Sequence, residues 1–272
     1  MRLFWHQRDL RTRDNLGLAV AARDDTLLPV YVYDTDVLEH VGRRQRALMM
    51  RGVRKLKARY RELGSDLIVR AGDSAEVLAS LCDEHDAESV YYNEHYRPSR
   101  RQAQQRVDDE LTAAGISTDR RTDLVLVDPG QLDSSYPNHS QFHNDWEAAP
   151  KATPYDEPDE TNLLDIQDGK TVPVPDVDIE LPAAGYEAAR ERFDDFLDTG
   201  LLSYNDPRDD LPKVVTEPTT AVPRLSPSLA SGMIGIREVW AGAPAVYSAV
   251  SGPERRHVHR YRYELSRRAQ HY

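Results

Sequence analysis

Three groups of residues in this chain have the types and spacing to do chemistry. The first follows the opening apolar stretch. Trp5-His6-Gln7-Arg8-Asp9-Leu10-Arg11 sets two arginines and an aspartate just past a strand candidate. In a doubly wound α/β fold, ligands sit at the carboxyl ends of strands. Arg8 and Arg11 are therefore placed to meet an anion or a domain surface, and a solvated turn with local ion pairs suits them as well. The second group is "RLSPSLASGMIGIREVW", Arg224–Trp240, which has the character of a ligand-binding helix. Read plainly, Ser226 is an N-cap that stabilises a helix by ~1 kcal/mol and binds nothing. The third group is Arg255, Arg256, Arg260, Arg262, Arg267 and Arg268, packed near the carboxyl end of an acidic chain. Such a cluster either forms a local phosphate groove despite the net charge or pairs with the chain's own carboxylates.

Several chemistries are disfavoured. No G-x-G-x-x-G follows the first strand candidate and no G-x-x-x-x-G-K-[ST] occurs, so the usual phosphate cradles are missing. His257 and His259 are spaced i,i+2 and point to different helix faces, which argues against a metal pair. Cys82 is the single cysteine, so neither an internal disulfide framework nor a cysteine-rich zinc site is expected. Lys+Arg total 35 against 46 Asp+Glu, a formal charge of -11, which argues against strong general affinity for nucleic-acid phosphate. The same acidity suits a salt-adapted cytosol, where it keeps the protein soluble. The opening residues do not read as a signal peptide, and no segment approaches the ~20 apolar residues of a membrane span. A cytoplasmic protein is expected.

The elements that must position these groups can be read from periodicity. Hydrophobic residues make up 39% and charged residues 30% of 272, which is a folded, soluble balance. Strands are expected at Arg2–His6, Leu27–Tyr33, Asp66–Arg70, Ser89–Tyr92 and Leu124–Val127. Helices are expected between them at Leu16–Arg23, Arg43–Leu63, Ala75–His85 and Arg100–Ala114. Strands alternating with helices imply a doubly wound parallel five-stranded sheet over residues 1–130. Residues 131–185 lose the pattern and read as a connector, with Phe142 and Trp146 pinning a short helix. Residues 186–272 are helical, with a stripe of Tyr186, Ala189, Phe193, Phe196 and Leu197, then helices over Ser226–Trp240 and Glu254–Tyr272. The fold class is α/β followed by all-α.

The motifs also resemble a known family. "WHQRDLRTRDNLGL", "VYVYDTDVL", "RELGSDLIVRAGD", "VYYNEHYRPSRRQAQQRV", "RLSPSLASGMIGIREVW" and "YELSRRAQHY" are collinear with segments of the photolyase/cryptochrome family. The resemblance covers the whole chain. It implies an antenna domain followed by a helical FAD-binding domain, and light-driven, FAD-using repair of cyclobutane pyrimidine dimers in DNA. It implies that Leu225 and Ser226 meet FAD phosphates and that Tyr204 packs beside the flavin. It implies that Glu264 and Arg268 contact the substrate. Arg8, Asp9, Tyr33, Asp34 and Asp36 would frame an antenna of the 8-hydroxy-5-deazaflavin type. Arg100 falls near the family's folate-type glutamate and disfavours folate.

The departures from the family pattern shape the expectation. Val222-Pro223 replaces a Thr-Ser pair, Ser228 stands for a tyrosine, Arg267 for a tryptophan and Ala269 for a glutamate. The family's helical domain also continues well past this length. FAD binding is therefore expected to be weak or lost, and the remaining helices to leave an apolar face uncovered. DNA binding is expected to be weak or vestigial, and the protein monomeric with no membrane association. The alternative is a non-catalytic deazaflavin-binding or interaction module.

Overall fold

The computed structural model describes residues 1–23, 25–133, 135–204, 211–216 and 222–270. Its first part is a five-stranded sheet, β1 (Arg2–His6), β2 (Leu27–Tyr33), β3 (Ile68–Ala71), β4 (Ser89–Asn93) and β5 (Ser117–Arg121). The strand order is β3-β2-β1-β4-β5 and every pairing is parallel. Parallel neighbours need crossover connections. These are α1 (Leu16–Ala21), then α2 (Thr35–Glu39) with α3 (Arg43–Glu62), then α4 (Ser74–Glu84) and α5 (Pro98–Ala113).

Side chains on a strand alternate faces, and both faces of this sheet are buried. Phe4, Leu27, Tyr31 and Val69 pack against α1 and α3 on one side. Leu3, Trp5, Leu28, Val30, Val32 and Ile68 pack against α4 and α5 on the other. That is why β2 reads as an unbroken apolar run.

The fifth strand is not where apolarity places it. Ser117–Arg121 pairs with β4, while Leu124–Val127 is not a strand. β5 lies at the sheet edge and keeps a polar sequence, as edge strands do. Leu126 and Val127 are apolar because they enter the core of the helical part.

Past the sheet, α6 (His139–Ala148) carries the buried Phe142 and Trp146. The following stretch has little regular structure, yet it is anchored on the α/β part. Leu163 bridges Leu27 in parallel, and the buried Asp168 bonds Lys57 Nζ (3.1 Å), Arg70 (3.1 Å) and the Val69 amide (3.0 Å). The helical part comprises α7 (Tyr186–Thr199), α8 (Leu211–Thr216), α9 (Ser226–Ala230), α10 (Ile236–Ala249) and α11 (Pro253–Ala269). Phe193, Phe196, Val239, Val258 and Tyr261 form its core. The expected uncovered apolar face does not occur among the described residues, where the exposed large hydrophobics are Ile179 and Val215.

The expected single helix over Ser226–Trp240 is two helices. Gly232 turns between them at φ +66 and lies against β1's loop, where a Cβ would sit 2.1 Å from the Arg8 carbonyl oxygen. Glycine alone combines that backbone with that approach.

Candidate functional site

The loop after β1 serves two places at once. Arg11 and Asp14 turn toward the helical part, and Arg8 turns toward the strand ends. Asp14 accepts from Arg237 Nε (2.6 Å) and from the amides of Arg237 (3.1 Å) and Glu238 (3.3 Å), so it caps the first turn of α10 from across the seam. Asp123 pairs with Arg11 at 2.5 Å and also with Arg237. All four side chains are buried. Arg11 also donates to the Gly232 carbonyl (3.1 Å). Of the roles open to Arg11, the domain surface is the one it fills.

The cleft lies at the carboxyl ends of β1, β2 and β4, where α/β folds place ligands. β1 contributes Trp5 and His6, and the loop that follows it contributes Gln7 and Arg8. β2 and its following turn add Tyr31, Val32 and Asp34. The far wall is His95 with Arg100 and Gln104 of α5, and Val37, Leu38 and Met49 make it apolar. Arg8 and Arg100 both reach it. Partial burial, and for Arg8 the charges of Arg100 and Arg97, hold both guanidinium pKa values below the usual range. Burial and these same arginines push His95 down to about 3, so its ring stays neutral. Its Nδ1 accepts from the Arg97 amide at 3.0 Å, which assigns the proton to Nε2.

The five residues expected to frame an antenna do not all converge. Arg8 and Asp34 line the cleft. Asp34 caps α2 through the Val37 amide (3.2 Å) and accepts from the Ser74 hydroxyl (2.8 Å), so it shapes the wall rather than offering a free acceptor. Asp9, next to Arg8 in sequence, is buried and turned inward onto Gln7 N (2.8 Å) and Asn93 Nδ2 (2.6 Å). Burial would raise its carboxyl, but His6 and the Gln7 amide hold it below the usual range. Tyr33 packs against the α1–α3 core, and Asp36 is exposed on α2.

The residues tied to a flavin are dispersed. Tyr204 is buried edge-on between Phe196 and Tyr261, at ring distances of 5.7 and 5.5 Å. Ser226 is exposed as the first residue of α9, and Leu225 before it is the N-cap, with no side chain bonded there. The plain-cap role for Ser226 is therefore not the one it plays. The short helix leaves the Ser226 and Ser228 amides without intrahelical acceptors, and Pro227 has none to offer. The rest of the stretch "SYNDPRDDLP" between Tyr204 and α8 lies outside the described residues.

The arginines of α11 are largely matched. Glu264 pairs with Arg260 at 2.8 Å and lies 4.0 Å from Arg267. Arg262 pairs with Glu147 and lies 4.5 Å over the Trp240 ring. Arg268 donates to the Leu124 carbonyl (3.1 Å), which ties α11 to the segment after β5.

A cluster between α6 and α11 was not legible in advance. His143 Nδ1 lies 2.9 Å and His139 Nε2 3.1 Å from the Ser266 hydroxyl, and Trp146 meets Trp240 edge-on at 5.2 Å. The i,i+4 spacing of His139 and His143, with Trp146 three residues on, was the available signal. Burial, then His259 and His139, push His143 down to about 4. Among the described residues no three His, Cys, Asp or Glu side chains converge as a metal site requires.

The fold and site define a doubly wound α/β unit with a cleft at its strand ends, clamped to a helical unit by a buried ion network. The family model for DNA photolyase matches residues 2–160. The deoxyribodipyrimidine photo-lyase of Halobacterium salinarum is 36% identical over 95% of this chain and 58% of its own length. A class III photolyase from Agrobacterium tumefaciens superposes with a TM-score of 0.84 at 22% identity, over 99% of this chain and 57% of that one. An archaeal photolyase from Sulfolobus tokodaii, solved with two FAD molecules, gives 0.74 at 22% over 99% and 58%. The chain belongs to the DNA photolyase family, and it spans somewhat more than half the length of these relatives.

Proposed function

We propose that this chain is the light-gathering portion of a photolyase-type protein and holds a planar antenna chromophore of the 8-hydroxy-5-deazaflavin type. In this reading residues 1–130 are the antenna domain, 131–185 the connector and 186–272 a partial flavin-binding domain. The observation that carries it is the cleft at the ends of β1, β2 and β4, with apolar walls for a ring and Arg8 and Arg100 at its mouth. Arg100 on that rim is also why folate is disfavoured. The cleft is narrow, about 50 Å³, and a ring system needs ~300 Å³ or more, so its walls must open to admit one. The visible absorption spectrum of the purified protein tests the reading. A deazaflavin-type band supports it, and a colourless protein that takes up no such chromophore on addition sinks it.

The second reading is repair of cyclobutane pyrimidine dimers in DNA. It is favoured by the relative named for that activity, which is 36% identical across nearly all of this chain. FAD, when bound, would supply the electron that splits the dimer. Leu225 and Ser226 would hold a phosphate of it at the start of α9, and Tyr204 would pack nearby. Glu264 and Arg268 would contact the lesion only after exchanging their present partners, Arg260 and the Leu124 carbonyl. We propose that FAD is held weakly, because Val222-Pro223 offers no hydroxyls and a proline has no amide hydrogen. FAD that stays stoichiometric through extensive dialysis, or light-dependent repair by this chain, would overturn that. A non-catalytic interaction module in the cytoplasm remains the alternative if neither chromophore is held.

A further inference from the structure

A groove of about 670 Å³ lies between α3 and the start of α7, and it shares no lining residue with the strand-end cleft. We propose that this groove binds a compact polyanion of linked phosphates, gripped by Arg13, Arg51, Arg54 and Lys55.

The positive charge there is local and unmatched. Nine of the 20 residues of α3 are Arg or Lys and one is acidic, in a chain of net charge -11. The carboxylates inside the groove are committed to a single arginine. Glu157 accepts from Arg59 Nη2 (2.7 Å) and the Thr12 hydroxyl (3.0 Å), and Glu62 accepts from Arg59 Nη1 (2.8 Å). Arg13, Arg51 and Lys55 make no hydrogen bond or ion pair with a described residue, and Arg54 bonds only the Val172 carbonyl (3.0 Å). The helix end adds to the same charge. α7 begins at Gly185 with no side-chain cap, and a Cβ on Gly185 would lie 2.8 Å from Lys55 Cβ. Lys55 therefore packs against the positive end of a helix, where an anion is stabilising and a cation is not. Glu187 in that first turn offsets part of this.

Size and shape select among anions. Small-molecule sites run to ~300–1,000 Å³, and this groove falls within that range. Leu10, Leu56 and Ala184 give it an apolar floor. Four cations suit several linked phosphates better than one, because each can add a charge-assisted hydrogen bond. Glu187 and Glu191, exposed on α7, border the groove. An extended polyanion laid along it meets these carboxylates, whereas a compact one seated against α3 does not.

Calorimetric titration of the full chain tests the site with orthophosphate, tripolyphosphate and ATP. Tripolyphosphate should bind ~tenfold or more tighter than orthophosphate, and the gap should narrow at higher salt. ATP equal to tripolyphosphate assigns recognition to the phosphates alone, and tighter ATP binding gives the apolar floor to the nucleoside; both support the site. Arg51 and Lys55 have no protein partner to lose, so the double variant Arg51→Gln, Lys55→Gln should keep the parent's thermal midpoint and weaken tripolyphosphate about tenfold. Arg44→Gln removes a charge from the same helix outside the groove and should leave binding unchanged. Equal binding of orthophosphate and tripolyphosphate, no loss in the double variant, or a matching loss in Arg44→Gln overturns the site. A labelled duplex that binds tighter than tripolyphosphate and is released by the same double substitution would make the groove a nucleic-acid track and overturn the compact ligand.

Discussion

Asp14 and Arg237 carry more of this molecule than their surface neighbours do. Each is buried, each has a charged partner, and Asp14 also caps a helix it does not belong to. Removing one member strands a buried charge, which costs about 3–5 kcal/mol. Arg237→Ala is expected to lower the urea midpoint accordingly, whereas an exposed control such as Arg44→Ala, whose pair with Asp178 is solvated, should change stability by less than about 1 kcal/mol. A matching loss in both variants would show that the seam is not held by this network. The two buried histidines make a pH prediction. His95 and His143 sit at about 3 and about 4, below the ordinary 6.5. As pH falls from 6.5, the unfolded chain binds protons that the fold excludes. Stability therefore drops, and the loss levels off for each group below its folded value. Thermal midpoints from pH 7 to 4 should fall, and the fall should be shallower in His143→Gln. A flat profile over that range would refute the assignment of neutral, buried rings.

At the scale of elements, the helical part is held to the sheet by close backbone approach as much as by side chains. Gly232 faces the Arg8 carbonyl at positive φ, and a Cβ on Gly235 would meet Asp14 Oδ2 at 1.8 Å. Gly232→Ala is expected to cost ~1–3 kcal/mol from backbone strain plus the displaced contact. Limited proteolysis should then cut near the α9–α10 turn sooner than in the parent. The connector makes a parallel case. Asp168 satisfies Lys57, Arg70 and the Val69 amide together, so Asp168→Ala leaves a buried amide and weakens a buried lysine's pairing. A loss of about 2–4 kcal/mol is expected, with the connector becoming accessible to protease before the sheet does. Equal protection in both proteins would mean that Asp168 is not an anchor.

For the whole molecule, charge sets the working conditions. A net charge of -11 repels itself, and salt screens that repulsion. The thermal midpoint should rise with potassium chloride, by ~3 °C or more between low and high salt, and an unchanged midpoint would count against salt adaptation. The same balance bears on DNA. Because most arginines of α11 already face glutamates or carbonyls, we propose weak, strongly salt-dependent binding with no preference for ultraviolet-damaged duplex. Titration of labelled damaged and undamaged duplexes at two salt concentrations measures this, and a clear preference for the damaged one would restore lesion recognition to this chain.

Local pattern alone was enough for β1 to β4 and for the helices α3, α4, α5, α7 and α11. A strand buried on both faces must be apolar throughout, and a helix over a sheet must repeat every three to four residues, so both leave a trace in the order of residues. It was also enough to place Arg8 near the carboxyl ends of the strands, because it directly follows β1. The fifth strand left no such trace. An edge strand is stabilised by backbone pairing and needs no apolar side chains, while the apolar run at Leu124–Val127 serves packing against distant helices. Direction within a loop was equally hidden. Arg8, Asp9 and Arg11 are near neighbours in sequence, yet one faces the cleft, one the interior and one the seam. Only tertiary structure decides such a division, because it depends on which acceptors the rest of the chain brings within hydrogen-bonding distance.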